Sequence, residues 1–235
     1  MPAPPDAPSS LPPVLQQHRT KIQAWFFDLD GTLMDTDDQA VDRLAHRLRF
    51  LGSRRAARLA RRLVMSGETP MNLAMTVFDA IGLDPWVFAL RRRLSRVVKP
   101  TFRLVPGVTP LIAYLAPISA LAVVTTRSRA DADHFLAQHD LKQHFTVIAT
   151  QETTKRLKPH PEPVLYAAAE LGLPPAAVVM VGDTTVDILS ARRAGAWSVG
   201  VLCGFGEAWE LQRAGAHLVL DSTADLLPLL TQSSD

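Results

Sequence analysis

Asp28 and Asp30 stand one leucine apart at the end of the apolar run in WFFDLDGTLMDT, which turns at once on Gly31. In an extended segment, side chains at i and i+2 point to the same side. Two carboxylates about 4 Å apart repel by about 4 kcal/mol at an effective dielectric near 20, so the pair calls for a cation. Three more polar clusters follow. Thr125-Thr126 close the run LAVV, Lys158 sits in TTKRLKPHPEP, and Gly182-Asp183 close VVMV, with Asp187 four residues further on. That spacing returns Asp187 to the face of Asp183 after one helical turn. Each cluster alone is weak, because a D-x-D pair, a strand-ending threonine and a lone lysine are all common. Their order, each at or after a strand end, is the signal.

The elements that must carry these residues are legible. IQAWFF, ISALAVVTT, FTVIAT, AVVMVG and WSVGVL are short runs rich in Val, Ile, Ala and aromatics, bounded by polar or turn residues. Near-continuous apolar strands indicate a parallel sheet buried on both faces. Between them, ADADHFLAQHDL, PEPVLYAAAELG and TVDILSARRAGA read as helices, the last two ending at Gly172 and Gly195. Alternating β and α units predict an α/β, doubly wound, Rossmann-like core, in which ligands gather at the carboxyl ends of the strands.

Residues 37–103 interrupt the alternation. Val41, Leu44, Ala45 and Leu48 recur at helical spacing, and SRRAARLARRLVM, PMNLAMTVFDAIG and PWVFALRRRLSRVVK read as three further helices. These four predict an inserted α-helical cap domain between two parts of the core, 21–36 and 104–235, with 1–20 a proline-rich flexible tail. Between Val41 and Arg103 fourteen Arg/Lys face four Asp/Glu, a balance of +10 within a chain whose net charge is only +2. Such a basic segment could contact a nucleic acid backbone. The arginines lie on amphipathic helices without interleaved aromatics, so a solvated helix face is the preferred reading.

Of the 235 residues, 47% are hydrophobic and 20% charged, which excludes a disordered chain and allows a sizeable core. The single cysteine, Cys203, excludes an internal disulfide and suits a reducing cytoplasm. No run approaches the ~20 apolar residues of a membrane span. The first twenty residues lack the basic start and apolar block of a secretory signal. The seven histidines have no metal-site spacing and read as surface or packing residues, and Cys203 as an ordinary loop or buried thiol.

DLDGTLMDT, AVVTT, LKPHPEP and VMVGDTTVDILSARRAG together resemble the ordered motif set of the haloacid dehalogenase-like superfamily, over roughly Ile22 to Leu202. The similarity is greatest to its branch of phosphoglycolate phosphatases and β-phosphoglucomutase-like proteins, with a C1-type helical cap. The resemblance implies that Asp28 is a nucleophile forming an aspartyl-phosphate, and that Asp30 is the general acid and base. Thr125, with Thr126 beside it, would bind the phosphoryl oxygens, and Lys158 would bind phosphate and stabilise charge. Mg²⁺ would be held by Asp28, the backbone carbonyl of Asp30 and Asp183. For Asp187 two roles stay open: contact with the metal through water, or support of a helix N-terminus. Many relatives have glycine before the lysine, where this chain has Leu157, so a different approach of the loop is expected. An aspartate at position 30 favours phosphate esters over the family's dehalogenase and phosphonatase chemistries. The expected function is thus a Mg²⁺-dependent phosphatase acting on a small phosphorylated metabolite in the cytoplasm. The alternatives are a phosphomutase, whose cap returns the phosphoryl group to a sugar hydroxyl, and a non-catalytic phosphate-binding protein of this fold.

Overall fold

The computed structural model describes residues 21–35 and 102–231. The tail 1–20 and the four cap helices expected from the sequence lie outside the described residues. In chain order the elements are β1 (Ala24–Phe27), β2 (Met34–Asp35), β3 (Arg103–Leu104), α1 (Val108–Leu115), β4 (Ala120–Val124), α2 (Arg129–Gln138) and β5 (Val147–Ala149). There follow α3 (Glu162–Glu170), β6 (Val178–Gly182), α4 (Thr185–Ala194), β7 (Trp197–Val201), α5 (Ala208–Ala214), β8 (Leu218–Leu220) and α6 (Leu226–Thr231).

Six strands form one parallel sheet in the order β5-β4-β1-β6-β7-β8, so the five expected strands are present and β8 extends the edge. The apolar runs are continuous because both faces are covered. Trp25 and Phe27 point into one cluster with Val108, Leu111 and Ile112 of α1, Phe135 of α2 and Leu226 of α6. Ala24 and Phe26 point into the other, with Val164, Ala167 and Ala168 of α3 and Ala191 of α4. Burying a side chain such as Phe26 or Phe27 stabilises the fold by about 2 kcal/mol each.

β1 is central, with Phe27 level with Val123 of β4 on one side and Val181 of β6 on the other. After β1 the chain builds β4 and β5 on one side, then crosses to β6, β7 and β8. The carboxyl ends of β1 and β6 therefore flank the point where the winding reverses, the crevice where such sheets bind ligands. β2 and β3 pair antiparallel, Met34 with Leu104 and Asp35 with Arg103.

Candidate active site

Asp28 is the first residue beyond β1, and its N–H donates to the Val181 carbonyl at 3.0 Å. A tight turn follows, with Met34 N–H donating to Leu29 O at 2.7 Å and Gly31 at φ 64°, a conformation that favours glycine. Asp183, one residue past β6, receives Phe205 N–H on Oδ2 at 2.9 Å and the Thr32 hydroxyl on Oδ1 at 3.4 Å. The loop after β7 lies so close that a Cβ on Gly204 would fall 2.1 Å from Asp183 Oδ2. Glycine is needed there for approach, not for turning.

Asp187 sits in the first turn of α4, where Oδ2 accepts from the Thr184 N–H at 3.1 Å and from its hydroxyl at 2.6 Å. Oδ1 accepts from Lys158 Nζ at 2.5 Å. The same ammonium donates to Val124 O at 2.9 Å and lies 2.9 Å from Asp28 Oδ1. Leu157 does not displace the lysine. It is buried, and among non-glycine described residues only Asp140 has a positive φ. Lys158 precedes α3, whose start is capped by His160 Nδ1 accepting from Glu162 N–H at 3.2 Å.

Asp28, Lys158, Asp183 and Asp187 are 7%, 4%, 1% and 0% exposed, so these charges meet in a nearly dry site. Burial alone would depress Lys158, but Asp187 and then Asp28 outweigh it and hold the ammonium above its ordinary range. Burial, aided by the charges of Asp187 and Asp30 and opposed by Lys158, pushes Asp28 up to about 7. Asp28, Asp183 and Asp187 each offer a carboxylate oxygen within 4.8 Å of the others. Lys158 is in contact with two of these three, Asp28 and Asp187. Asp28 Oδ1 is buried, with the Lys158 ammonium 2.9 Å away. An all-oxygen cluster with excess negative charge fits a hard divalent cation.

Thr125 follows β4 directly, one residue beyond the carbonyl that Lys158 binds. Its N–H donates to Ala149 O at 2.9 Å, and its Oγ1 accepts from Arg127 N–H at 3.1 Å, which leaves the hydroxyl proton to donate. Thr126 stands next to it, half-buried. Asp30 is gripped on both oxygens by Arg127, a residue the motif reading passed over. Phe205 was also missed. It acts through a backbone N–H that every residue but proline has, so its type carries no signal. Cys203 is a half-buried thiol, raised by burial, whose Sγ donates to Gly31 O at 3.2 Å.

The sequence model of haloacid dehalogenase-like hydrolases matches residues 25–201. A phosphoglycolate phosphatase from Synechococcus elongatus is 33% identical, covering 90% of this chain and 98% of its own. Another, from Shigella boydii, is 30% identical over 89% of this chain and 92% of its own. A hydrolase from Pseudomonas syringae superposes with a TM-score of 0.62 at 28% identity, over 89% of this chain and 98% of its own. No helix among the described residues is long and apolar enough to cross a membrane.

Proposed function

The chain belongs to the haloacid dehalogenase-like hydrolases and is a phosphatase, and from that premise we propose that it hydrolyses a small phosphomonoester through an aspartyl-phosphate on Asp28. The observation that carries this reading is the placement of Asp28 beside Lys158, within the buried carboxylate cluster at the end of β1.

A carboxylate oxygen of Asp28 attacks phosphorus while the bond to the leaving oxygen breaks, and Asp30 gives that oxygen its proton. Asp30, now ionised, takes a proton from water as the water attacks the phosphorus of the aspartyl-phosphate. Phosphate leaves and Asp28 is restored. Thr125, with Thr126 beside it, donates to the phosphoryl oxygens, and Lys158 offsets the charge that builds on them. Mg²⁺, held by Asp28, Asp183 and the Asp30 carbonyl, would supply electrostatic stabilisation of the transferring group. Both oxygens of Asp187 are engaged by Thr184 and Lys158, which favours fixing the lysine and the helix start over contact with the metal.

Residues 37–103 form the cap that selects the leaving group in this reading, and the enzyme works in the reducing cytoplasm. The named activity of its relatives makes phosphoglycolate the first substrate to test. A panel of phosphoglycolate, hexose phosphates, nucleoside monophosphates and pyrophosphate, assayed for phosphate release with Mg²⁺, tests the proposal. One ester preferred well above the rest supports it, and equal, feeble rates throughout count against a dedicated phosphatase.

A further inference from the structure

We propose that Arg127 is a positioning residue that fixes the orientation of the Asp30 carboxylate and ties it to Phe102, the residue immediately before β3. The inference rests on the reading of Asp30 as the group that exchanges protons with substrate and water, and it concerns that group's geometry alone.

Arg127 Nε donates to Asp30 Oδ2 and Nη2 to Oδ1, both at 2.6 Å. Two parallel bonds between planar groups fix the carboxylate's rotation as well as its distance, which a point-charge ammonium cannot do. Arg127 is itself held at two further points. Its N–H donates to Thr125 Oγ1 at 3.1 Å, and its guanidinium carbon lies 5.1 Å from the centre of the Phe102 ring. Phe102 is a fixed support. It is 3% exposed, meets Phe135 edge-on, and its carbonyl accepts from Gln138 Nε2 at 2.7 Å.

Thr125, Asp30 and Phe102 thus meet at one residue, Thr125 through its backbone N–H and the other two through its guanidinium. Phe102 immediately precedes β3, which pairs with β2 where the chain departs. Because both Asp30 oxygens are held, one must leave the fork when a proton passes through it. The geometry seen is a set resting orientation.

A purely structural ion pair would lower stability and affect all substrates alike, so the test reads leaving-group dependence. Full-length wild type, Arg127→Gln, Arg127→Lys, Asp30→Asn and the double variant Asp30→Asn/Arg127→Gln are compared on p-nitrophenyl phosphate and on an unactivated alkyl phosphate. The alkyl ester needs its leaving oxygen protonated, whereas the nitrophenolate departs with little help. Arg127→Gln is expected to lower kcat/KM on the alkyl ester about 100-fold. On the aryl ester it should lower kcat/KM by no more than about threefold, because kcat/KM reports the first phosphoryl transfer and not the hydrolysis step that Asp30 also serves. Arg127→Lys should fall between wild type and the glutamine variant, and it carries the test if the glutamine variant does not fold. In the Asp30→Asn background, Arg127→Gln should cost nothing more. Equal losses of kcat/KM on both esters, or losses that multiply with Asp30→Asn, overturn the clamp while leaving the phosphatase reading intact. Activity that survives Asp28→Asn overturns the reading, and the clamp with it.

Discussion

Lys158 Nζ donates to Asp187 Oδ1 at 2.5 Å, with both side chains almost wholly buried. Asp187 therefore directs a lysine as well as starting a helix, and the lysine it directs reaches Asp28. Asp187→Asn removes the charge that holds the ammonium and weakens the contact with Thr184 at the start of α4. Breaking a buried pair by removing one partner costs about 3 kcal/mol, so denaturant titration should give a loss of that order. Steady-state kinetics should show kcat reduced by about 100-fold, since a misdirected lysine no longer offsets charge on the phosphoryl group. A variant with unchanged kcat would separate Asp187 from the chemistry.

Asp28 gives a pH dependence whose sign follows from its direction of shift. Its folded-state pKa is raised, to about 7 from an ordinary 3.8. Its stabilising contribution is thus full below the ordinary value and is lost as pH rises through about 7. In magnesium-free buffer, Asp28→Asn should unfold at a higher temperature than wild type at pH 8. That advantage should shrink steadily toward pH 5. Adding Mg²⁺ should stabilise wild type more than the variant and narrow the gap at pH 8, because a ligand that prefers the folded state shifts stability by mass action. A gap independent of pH would remove Asp28 as its source.

Gly204 and Gly195 should respond differently to the same substitution. At Gly204 a Cβ would fall 2.1 Å from Asp183 Oδ2, whereas at Gly195, at φ 79°, nothing lies within 4 Å. Gly204→Ala should displace Asp183 and raise the Mg²⁺ concentration for half-maximal activity by about tenfold, the range for disturbing the support of a metal ligand. Gly195→Ala should lower stability by about 1 kcal/mol through its backbone conformation and leave the metal dependence alone. Magnesium titrations and thermal melts of both variants check the contrast.

The central part of this site was legible because each residue follows a strand that the sequence marks plainly. AWFF, ALAVV and VVMVG are fully or almost fully buried, and their ends deliver Asp28, Thr125 and Asp183 to one edge of the sheet. Lys158 was legible through its motif, and Leu157 before it proved compatible with the lysine's reach. Other features carry no periodic signal. β8 is three residues long, and β2 and β3 are two each, too short for alternation to register. Arg127 is one arginine among many, and its partner Asp30 lies 97 residues away in the chain. Spacing reports which face of an element a residue occupies, but not which distant side chain it will meet.

The formation of a covalent bond between Asp28 and phosphorus can be tested directly. The full-length protein is mixed with Mg²⁺ and its preferred phosphomonoester, quenched in acid during turnover, digested and analysed by mass spectrometry. One phosphoryl group is expected on the peptide carrying Asp28 in wild type, with neither label nor turnover in Asp28→Asn. Sustained turnover by the asparagine variant, or label carried on another residue, would contradict Asp28 as the nucleophile.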